Sequence, residues 1–472
     1  VTRVVHRRRR GAPRGHGLLG VLLLAFLIAA PAVARRAPAP GGTAAVAVPA
    51  ELVAAVTEAH LFAPLVVPAR DAAGERPALS GAPGFASAVL DRVVGDEGGR
   101  RWRLSSTAPV SWVATSVARC LEGRSAGAFA AAVLRALTVA ARVEAAGDAT
   151  VVTFDRPVFV LPALLTYCPL VGAQGGATGA FAQATPGRLS WRSGSFDPPP
   201  LLGALEVRGD APVSDKADVV AMGAGDDGGA TLLAPWSDVV VLVQGLAARD
   251  ADPFGLADPR SGRRAFAAAL RADLLAAAWA GGRGGPTDAL LPSGVAPARP
   301  LPVVLGAVDD ARAPLTLTPV TPGAPRLPLF VRTSDPLTEG VAERLAVVLR
   351  ARGTLLGLTR GEPADDASEL LRWRPPTRDA ALALLAFLGE RPGLLRHPAV
   401  ARVLDAAALL GADPAARLGA ALALERALLD SRLVVPLLVV DRWISVDPDL
   451  RGVGVRDDGI PLLDGAWWGG GR

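Results

Sequence analysis

Residues able to carry out chemistry are sparse in this chain. It has four histidines in 472 residues (His6, His16, His60 and His397), and none falls at the spacing by which nitrogen and sulfur donors surround a metal ion. The pentapeptide Gly123-Arg-Ser-Ala-Gly127 fits the G-x-S-x-G elbow, with Ser125 as nucleophile and His397 downstream in the order such hydrolases use. An elbow needs a buried strand before its serine. Val117-Ala-Arg-Cys-Leu121 instead continues a helical pattern, so a Gly/Ser loop between two helices is expected, and a serine hydrolase is only a third reading. Gly172 to Gly179 is glycine-rich but lacks both the Lys-Ser/Thr of a phosphate loop and a strand-to-helix setting; a turn is expected. The acidic pairs Asp226-Asp227, Asp365-Asp366 and Asp457-Asp458 read as solvated turns. Among the nine tryptophans, Trp102, Trp112, Trp191, Trp236, Trp373 and Trp443 stand in strand or loop contexts from which they could line a cleft. Aromatic surface with few charges suits a binding pocket better than a reaction centre. The expectation is a binding protein: no enzyme, no cofactor, no metal.

The elements that must position such a pocket alternate between strand and helix. Half the residues are hydrophobic and a fifth are charged, a balance that excludes a mostly disordered chain and allows two or three domains. Helical spacing is found at Leu52–Leu65, Val113–Leu121, Ala126–Val143, Arg263–Trp279, Thr338–Arg352, Ala380–Leu388 and Pro414–Leu429. Strand patterns fall at Trp102–Leu104, Thr150–Phe154, Val239–Val243, Leu315–Thr318, Leu327–Val331, Thr354–Thr359 and Val434–Val440. Recurring strand–helix–strand order argues an α/β architecture. No internal repeat is present.

The formal net charge is +5 and the sequence pI is 10.2, but six arginines (Arg3, Arg7, Arg8, Arg9, Arg10 and Arg14) lie in the first 34 residues, and removing them leaves −1. The basic residues are nearly all Arg, with Lys216 as the lysine, so nucleic acid is not an expected partner. Basic residues, then the apolar stretch Leu18–Ala30, then Pro31-Ala-Val-Ala34 follow the order of a secretory signal peptide. Residues 1–34 are therefore read as a leader, or as a membrane anchor if uncleaved, and 35–45 as a linker. The mature protein is expected to be periplasmic or secreted. Cys120 and Cys168 are compatible either with one disulfide or with two buried thiols.

Several segments resemble, in order, the extracellular solute-binding proteins of family 5, the oligopeptide-, dipeptide- and nickel-binding components of ABC importers. They are Glu58-Ala-His-Leu-Phe-Ala-Pro-Leu-Val66, Pro109-Val-Ser111 with Ala114–Ala118, Ala177-Thr-Gly-Ala-Phe181, Phe254–Leu270 with Leu290-Leu-Pro-Ser-Gly294, and the tail from Asp413 through Val434–Arg442 to Gly459–Asp464. The resemblance implies a two-lobed periplasmic-binding-protein fold, type II, with an extra subdomain in the first lobe. It places the first lobe at 46–255, the second at 256–432 and a return to the first at 433–472. It further implies a monomeric receptor that delivers a peptide-like or other small solute to an ABC transporter permease by hinge closure. Trp373, Arg374, Asp379 and Phe62 are the ligand-binding candidates. An envelope scaffold with a degenerate fold of this kind is the alternative. The chain departs from the family where an Asp becomes Ser116, and where the Asp that can hold a peptide's ammonium aligns with Pro376. An ammonium leaving water needs a carboxylate partner, so ordinary peptide binding is not expected from that position.

Overall fold

The computed structural model describes residues 42–48, 50–68, 78–124, 129–193, 195, 202–209, 217–221, 230–245, 270, 274–275, 278, 283–296, 326–332, 336–351, 354–361 and 367–469. The leader, Ser125, Asp226-Asp227, Asp365-Asp366 and the strand expected at Leu315–Thr318 lie outside the described residues. The helix expected at Arg263–Trp279 is described at Leu270, Leu274, Leu275 and Ala278, all helical.

The chain enters on β1 (Thr43–Val48), whose Ala/Val run is buried along almost its whole length, and continues into α1 (Ala50–Leu61). A four-stranded antiparallel sheet follows, built from β2 (Leu90–Gly95) and β3 (Arg101–Ser106), then β4 (Ala141–Ala146) and β5 (Ala149–Phe154), in the order β2-β3-β5-β4. Trp102 and Leu104 alternate inward on β3 between exposed arginines, as a half-buried strand requires. Between β3 and β4 stand α2 (Val110–Glu122) and α3 (Phe129–Ala136). Val113, Ser116, Val117, Cys120 and Leu121 give α2 one buried stripe, and Gly123 ends it at φ 77°, where a side chain would be strained. The second helix is shorter than its spacing suggests. It stops at Ala136, Thr138 turns at φ 52°, and Val143 lies on β4, where pairing with β5 overrides helical periodicity.

The main sheet takes in β6 (Phe181–Thr185), β7 (Arg188–Trp191), β8 (Ala204–Gly209), β9 (Val219–Ala221), β10 (Ala230–Val243), β11 (Gly284–Pro286) and β12 (Arg326–Val331). After α4 (Pro336–Ala351) come β13 (Leu355–Arg360) and β14 (Ser368–Trp373), and after the helices α5 (Ala380–Gly389) and α6 (Pro414–Asp430) comes β15 (Val434–Val446). Among the described residues its order is β13-β12-β14-β10-β15-β9-β1-β8-β7-β6, with β11 also on β15. The α/β class expected from the sequence is present.

Two long strands, β10 and β15, join the ends of this sheet. Val239–Val243 of β10 pair with β14, while Ile444–Val446 of β15 pair with β9 beside β1. Their mutual register passes from Leu233/Trp443 to Ser237/Asp441, so residues 234–236 stand opposite Arg442 in a wide irregularity. Such insertions bend a strand and re-aim the facing side chain.

The largest apolar core runs from β3, α2 and α3 to α5 and α6. Nearly every residue of α5 is buried, and Gly389 lies so close to the Ala132 carbonyl of α3 that a Cβ there would overlap it. Glu425 of α6, fully buried, accepts from the Leu290 and Leu291 amides at 2.9 Å. This fixes the Leu-Leu-Pro segment on the helix.

Cys120 and Cys168 are joined as a disulfide across 48 positions. It ties α2 to the segment carrying Thr166, Tyr167 and Pro169. Cross-linking a loop of that length stabilises by roughly 4 kcal/mol in the chain-entropy account. Replacing both cysteines by Ala is expected to lower unfolding free energy by about 2–4 kcal/mol, read by urea denaturation, and reductant should then have no further effect.

Candidate functional site

A cavity of about 130 Å³ opens where α1, the 166–169 segment, Pro376 and the 456–464 segment converge. Its position is set by contacts around the end of α1. Thr178 accepts from the Ala63 amide at 3.1 Å and donates to the Leu170 carbonyl. Gly179 packs against the backbone of His60–Phe62 with no room for a Cβ. The glycine-rich segment is thus a brace for the helix end, and Phe62 projects from that end into the cavity lining.

His60 performs the second anchoring. Its ring is buried, Nδ1 donates to the Val56 carbonyl at 2.8 Å, and Nε2 accepts from the Leu463 amide at 3.2 Å, with the Asp464 carboxylate 4.0 Å away. With both nitrogens so used the ring ties α1 to the 463–464 segment. It draws Asp464 to the wall that also carries Glu58 of α1.

On the opposite side Arg456 forms a two-pronged pair with Asp458, Nε to Oδ1 at 3.0 Å, and its guanidinium lies 4.1 Å from the centre of the Tyr167 ring. Burial works against charge on both members. Asp458 nevertheless holds Arg456 above the ordinary guanidinium range, and Arg456 holds the Asp458 carboxyl below the ordinary carboxylate range. Tyr167 adopts φ 61°, an uncommon left-handed backbone for a bulky residue.

Behind the cavity lies a buried ionic cluster. Asp238, fully buried, receives Arg442 Nε at 2.5 Å, Arg372 Nε at 3.0 Å and Arg374 Nε at 3.4 Å. Burial alone would raise its pKa, but Arg442, Arg374 and Arg372 together hold the carboxyl far below the ordinary range. For Arg442 burial dominates, and its pKa falls to about 10 despite Asp238. Arg442 also donates to the carbonyls of Asp457 and, at 3.1 Å, Pro375. One side chain therefore fixes the two segments that bring Asp458 and Pro376 to the cavity.

Of the residues singled out from sequence, Phe62 lines this cavity. Trp373 is buried edge-to-face on Phe387 at 5.2 Å. Arg374 joins the Asp238 cluster. Asp379 caps α5, accepting from Ala381 and Leu382, and pairs with Arg417 at 3.0 Å. Ser116 accepts from the Val171 amide at 2.8 Å. His397 is a helix cap, accepting from the Ala399 amide. Among the described residues no tryptophan lines the cavity: Trp102 is a core residue whose indole donates to the Val158 carbonyl, and Trp191 is half exposed on β7. Asp457-Asp458 is a turn, as expected, but not a solvated one. Asp457 is buried, with Oδ1 3.3 Å from Arg378, and Asp458 is in the Arg456 pair. Glu58, Tyr167, Arg456 and Asp464 also line the cavity without a motif of their own to single them out, although Glu58 and Asp464 stand inside segments that carry the family resemblance.

No protein-family model and no curated protein matches the sequence. Solved structures do match over nearly the whole chain. The dipeptide binding protein from Pseudoalteromonas sp. SM9913 in complex with Met-Leu is 12% identical, with a TM-score of 0.67, over 90% of this chain and 100% of that one. The fold is that of a periplasmic binding protein. DppA from Helicobacter pylori, an ABC transporter-associated periplasmic binding protein in complex with the peptide STSA, matches at 12% identity and TM-score 0.65 over 92% and 99%. AgaA from A. tumefaciens R10 in complex with agropinic acid matches at 14% and 0.66 over 91% and 99%. The resemblance to family-5 solute-binding proteins holds at the level of the two-lobed α/β fold; identities this low carry the fold and not the ligand. Among the described residues no helix is long and apolar enough to cross a membrane.

The buried cluster gives a pH-dependent prediction. A carboxyl whose folded pKa is depressed contributes stability that is complete above its unfolded pKa of about 4 and is lost as pH falls through the folded value. Asp238→Asn leaves three guanidinium groups without their shared counter-charge, and is expected to cost about 3–5 kcal/mol near neutral pH. Its stability should fall less steeply than the parent's below about pH 4, as followed by urea denaturation across that range.

Proposed function

We propose that the protein is an extracytoplasmic solute-binding receptor that encloses a small solute between two lobes and presents it to an ABC importer permease, acting as a monomer and without catalysis. The observation that carries this reading is the convergence of Phe62, Tyr167, Pro376, Asp458 and Asp464, far apart in sequence, on one cavity within a binding-protein fold. The long strands β10 and β15 suit a hinge, because they run between the two ends of the sheet and are irregular at Arg442. The lobes would comprise residues 46–255 with 433–472, and residues 256–432. Residues 1–34 would serve as the export leader. Closure excludes water from the cavity and so strengthens each polar contact inside it.

One observation favours a second reading, an envelope scaffold that keeps the fold without transport. The α3–α5 contact is apolar and tight, with Gly389 against Ala132, and belongs to one continuous core. Wide opening there would expose leucines worth about 1.5–3 kcal/mol each when buried. Small-angle scattering of the mature protein with and without a mixture of small solutes separates the two. A receptor shows a smaller radius of gyration with solute; a scaffold shows an unchanged profile and no thermal-shift response.

A further inference from the structure

We propose that the walls of the cavity belong to two rigid bodies whose boundary departs from the division into lobes in one part: the subdomain of residues 78–170 moves with the second lobe. Closure then swings this joint body against β1, α1 and the 444–466 segment, a role that rests on the receptor reading above. The hydrophobic cores are the first ground. Packed apolar side chains form one contiguous core per domain as a rule. Here one core runs from Leu104, Val117 and Val133 of the subdomain into Leu384, Leu385 and Leu424 of α5 and α6. A separate core joins Val46 of β1 and Val56 of α1 to Leu205, Ile444 and Leu463. Every residue from Ala380 to Leu388 is buried, so parting the subdomain from α5 would bring leucines into water, which the hydrophobic effect opposes. The Phe159 amide of the subdomain also donates to the Leu410 carbonyl at 2.9 Å.

The cavity lies on the seam between these cores. Of its lining, Ala55 and Ala59 pack on the smaller core and Phe129 on the larger. Polar contacts cross the seam beside it: Arg378 lies 3.3 Å from the Asp457 carboxylate, and Arg442 donates to the Pro375 and Asp457 carbonyls. Polar groups that part can take hydrogen bonds from water instead, so a cleft opens here at lower cost than through packed leucines.

The backbone crossings are the second ground. Among the described residues the chain passes between the two bodies at four places, which occur as two pairs. In one pair the chain leaves the smaller core at Leu61 and enters the larger at Ala63, beside the return from Leu170 to Ala180. The Thr178 and Gly179 amides donate to the Leu61 carbonyl at 3.1 and 2.8 Å and hold these two passages together. In the other pair β10 and β15 run side by side through their register break, from Val239 and Val440, packed on opposite faces of the sheet, to Ile444 in the smaller core. Two fixed points define an axis, so the relative motion is a single swing, absorbed by a few backbone angles at each point. The return passage suits that task, since Gln174 and Gly175 already stand at φ 55° and 82°, and glycine moves readily between such conformations. The glycine-rich segment thus acquires a second part: it braces α1 at Thr178 and Gly179, and it turns ahead of them.

Native-state hydrogen exchange of the protein in low urea, read by mass spectrometry, tests the division without any solute, because segments of one cooperative unit lose protection together. Peptides from β3, β5 and α3 should share one urea dependence with those from α5 and α6, and β1, α1 and β8 should share another. Gly389→Ala, which drives a Cβ into the Ala132 carbonyl, should speed exchange about ten-fold or more in β3, β5 and α3 as well as in α5, with less than about two-fold change in β1, α1 and β8. If that variant fails to fold, the parent's urea dependences decide. Subdomain peptides that follow β1 and α1, a single urea dependence for all elements, or a Gly389→Ala effect confined to α5 overturns the proposal. Joint exchange of the subdomain with α5 and α6, without compaction by solutes in the scattering experiment, upholds the division and overturns the receptor reading alone. Compaction by solutes, with the subdomain exchanging alongside β1, overturns the division and leaves the receptor reading standing.

Discussion

The contact on which the site depends is the buried pair of Asp238 and Arg442. It sits where β10 and β15 lose register, with residues 234–236 facing Arg442 alone, and it carries the guanidinium to the Pro375 and Asp457 carbonyls. A guanidinium is planar and presents its donors in a fixed fork, so one side chain can serve a carboxylate and two separate backbone segments at once. Lysine in its place would offer a single ammonium on a flexible stem. Burial works against the Arg442 charge and lowers its pKa to about 10 despite Asp238. A well-packed apolar residue would be cheaper to bury, but it would not hold the two segments in register.

Around that anchor the cavity is assembled from supports of several kinds. The disulfide holds the Tyr167 segment to α2, His60 holds Leu463 and so Asp464 to α1, and Thr178 with Gly179 holds the end of α1 that carries Phe62. Each support is buried and short-range, which lets the polar lining be positioned by rigid neighbours while its own charges face the cavity. The Arg456–Asp458 pair is only 13% and 25% exposed, so little solvent screening reaches it, and the two charges settle each other's protonation.

Much of the architecture could be read from residue patterns. The Val/Leu runs at Val239–Val243 and Leu327–Val331 and the Ala/Leu helices at Ala380–Leu388 and Pro414–Leu429 are strands and helices in the structure, because burial on one or both faces demands those periodicities. The alanine-rich stretch Ala126–Val143 has high helix propensity throughout, but the helix ends at Ala136 and Ala141–Ala146 pair as a strand. The site was less legible. Phe62, inside a segment that carries the resemblance, lines the cavity, whereas Trp373, Arg374 and Asp379 contact Phe387, Asp238 and Arg417.

The sequence by itself determined the α/β alternation, the order of segments that matches a binding-protein fold, and the scarcity of nucleophiles and metal donors, because each is a local property of residue type and spacing. Only the tertiary structure decided which charges face the cavity. Glu58, Tyr167, Arg456 and Asp464 are separated by up to about four hundred residues, and an acidic pair such as Asp457-Asp458 reads the same in one dimension whether it is solvated or buried. Its chemistry follows from what packs against it, here Arg378 on one carboxylate and Arg456 on the next.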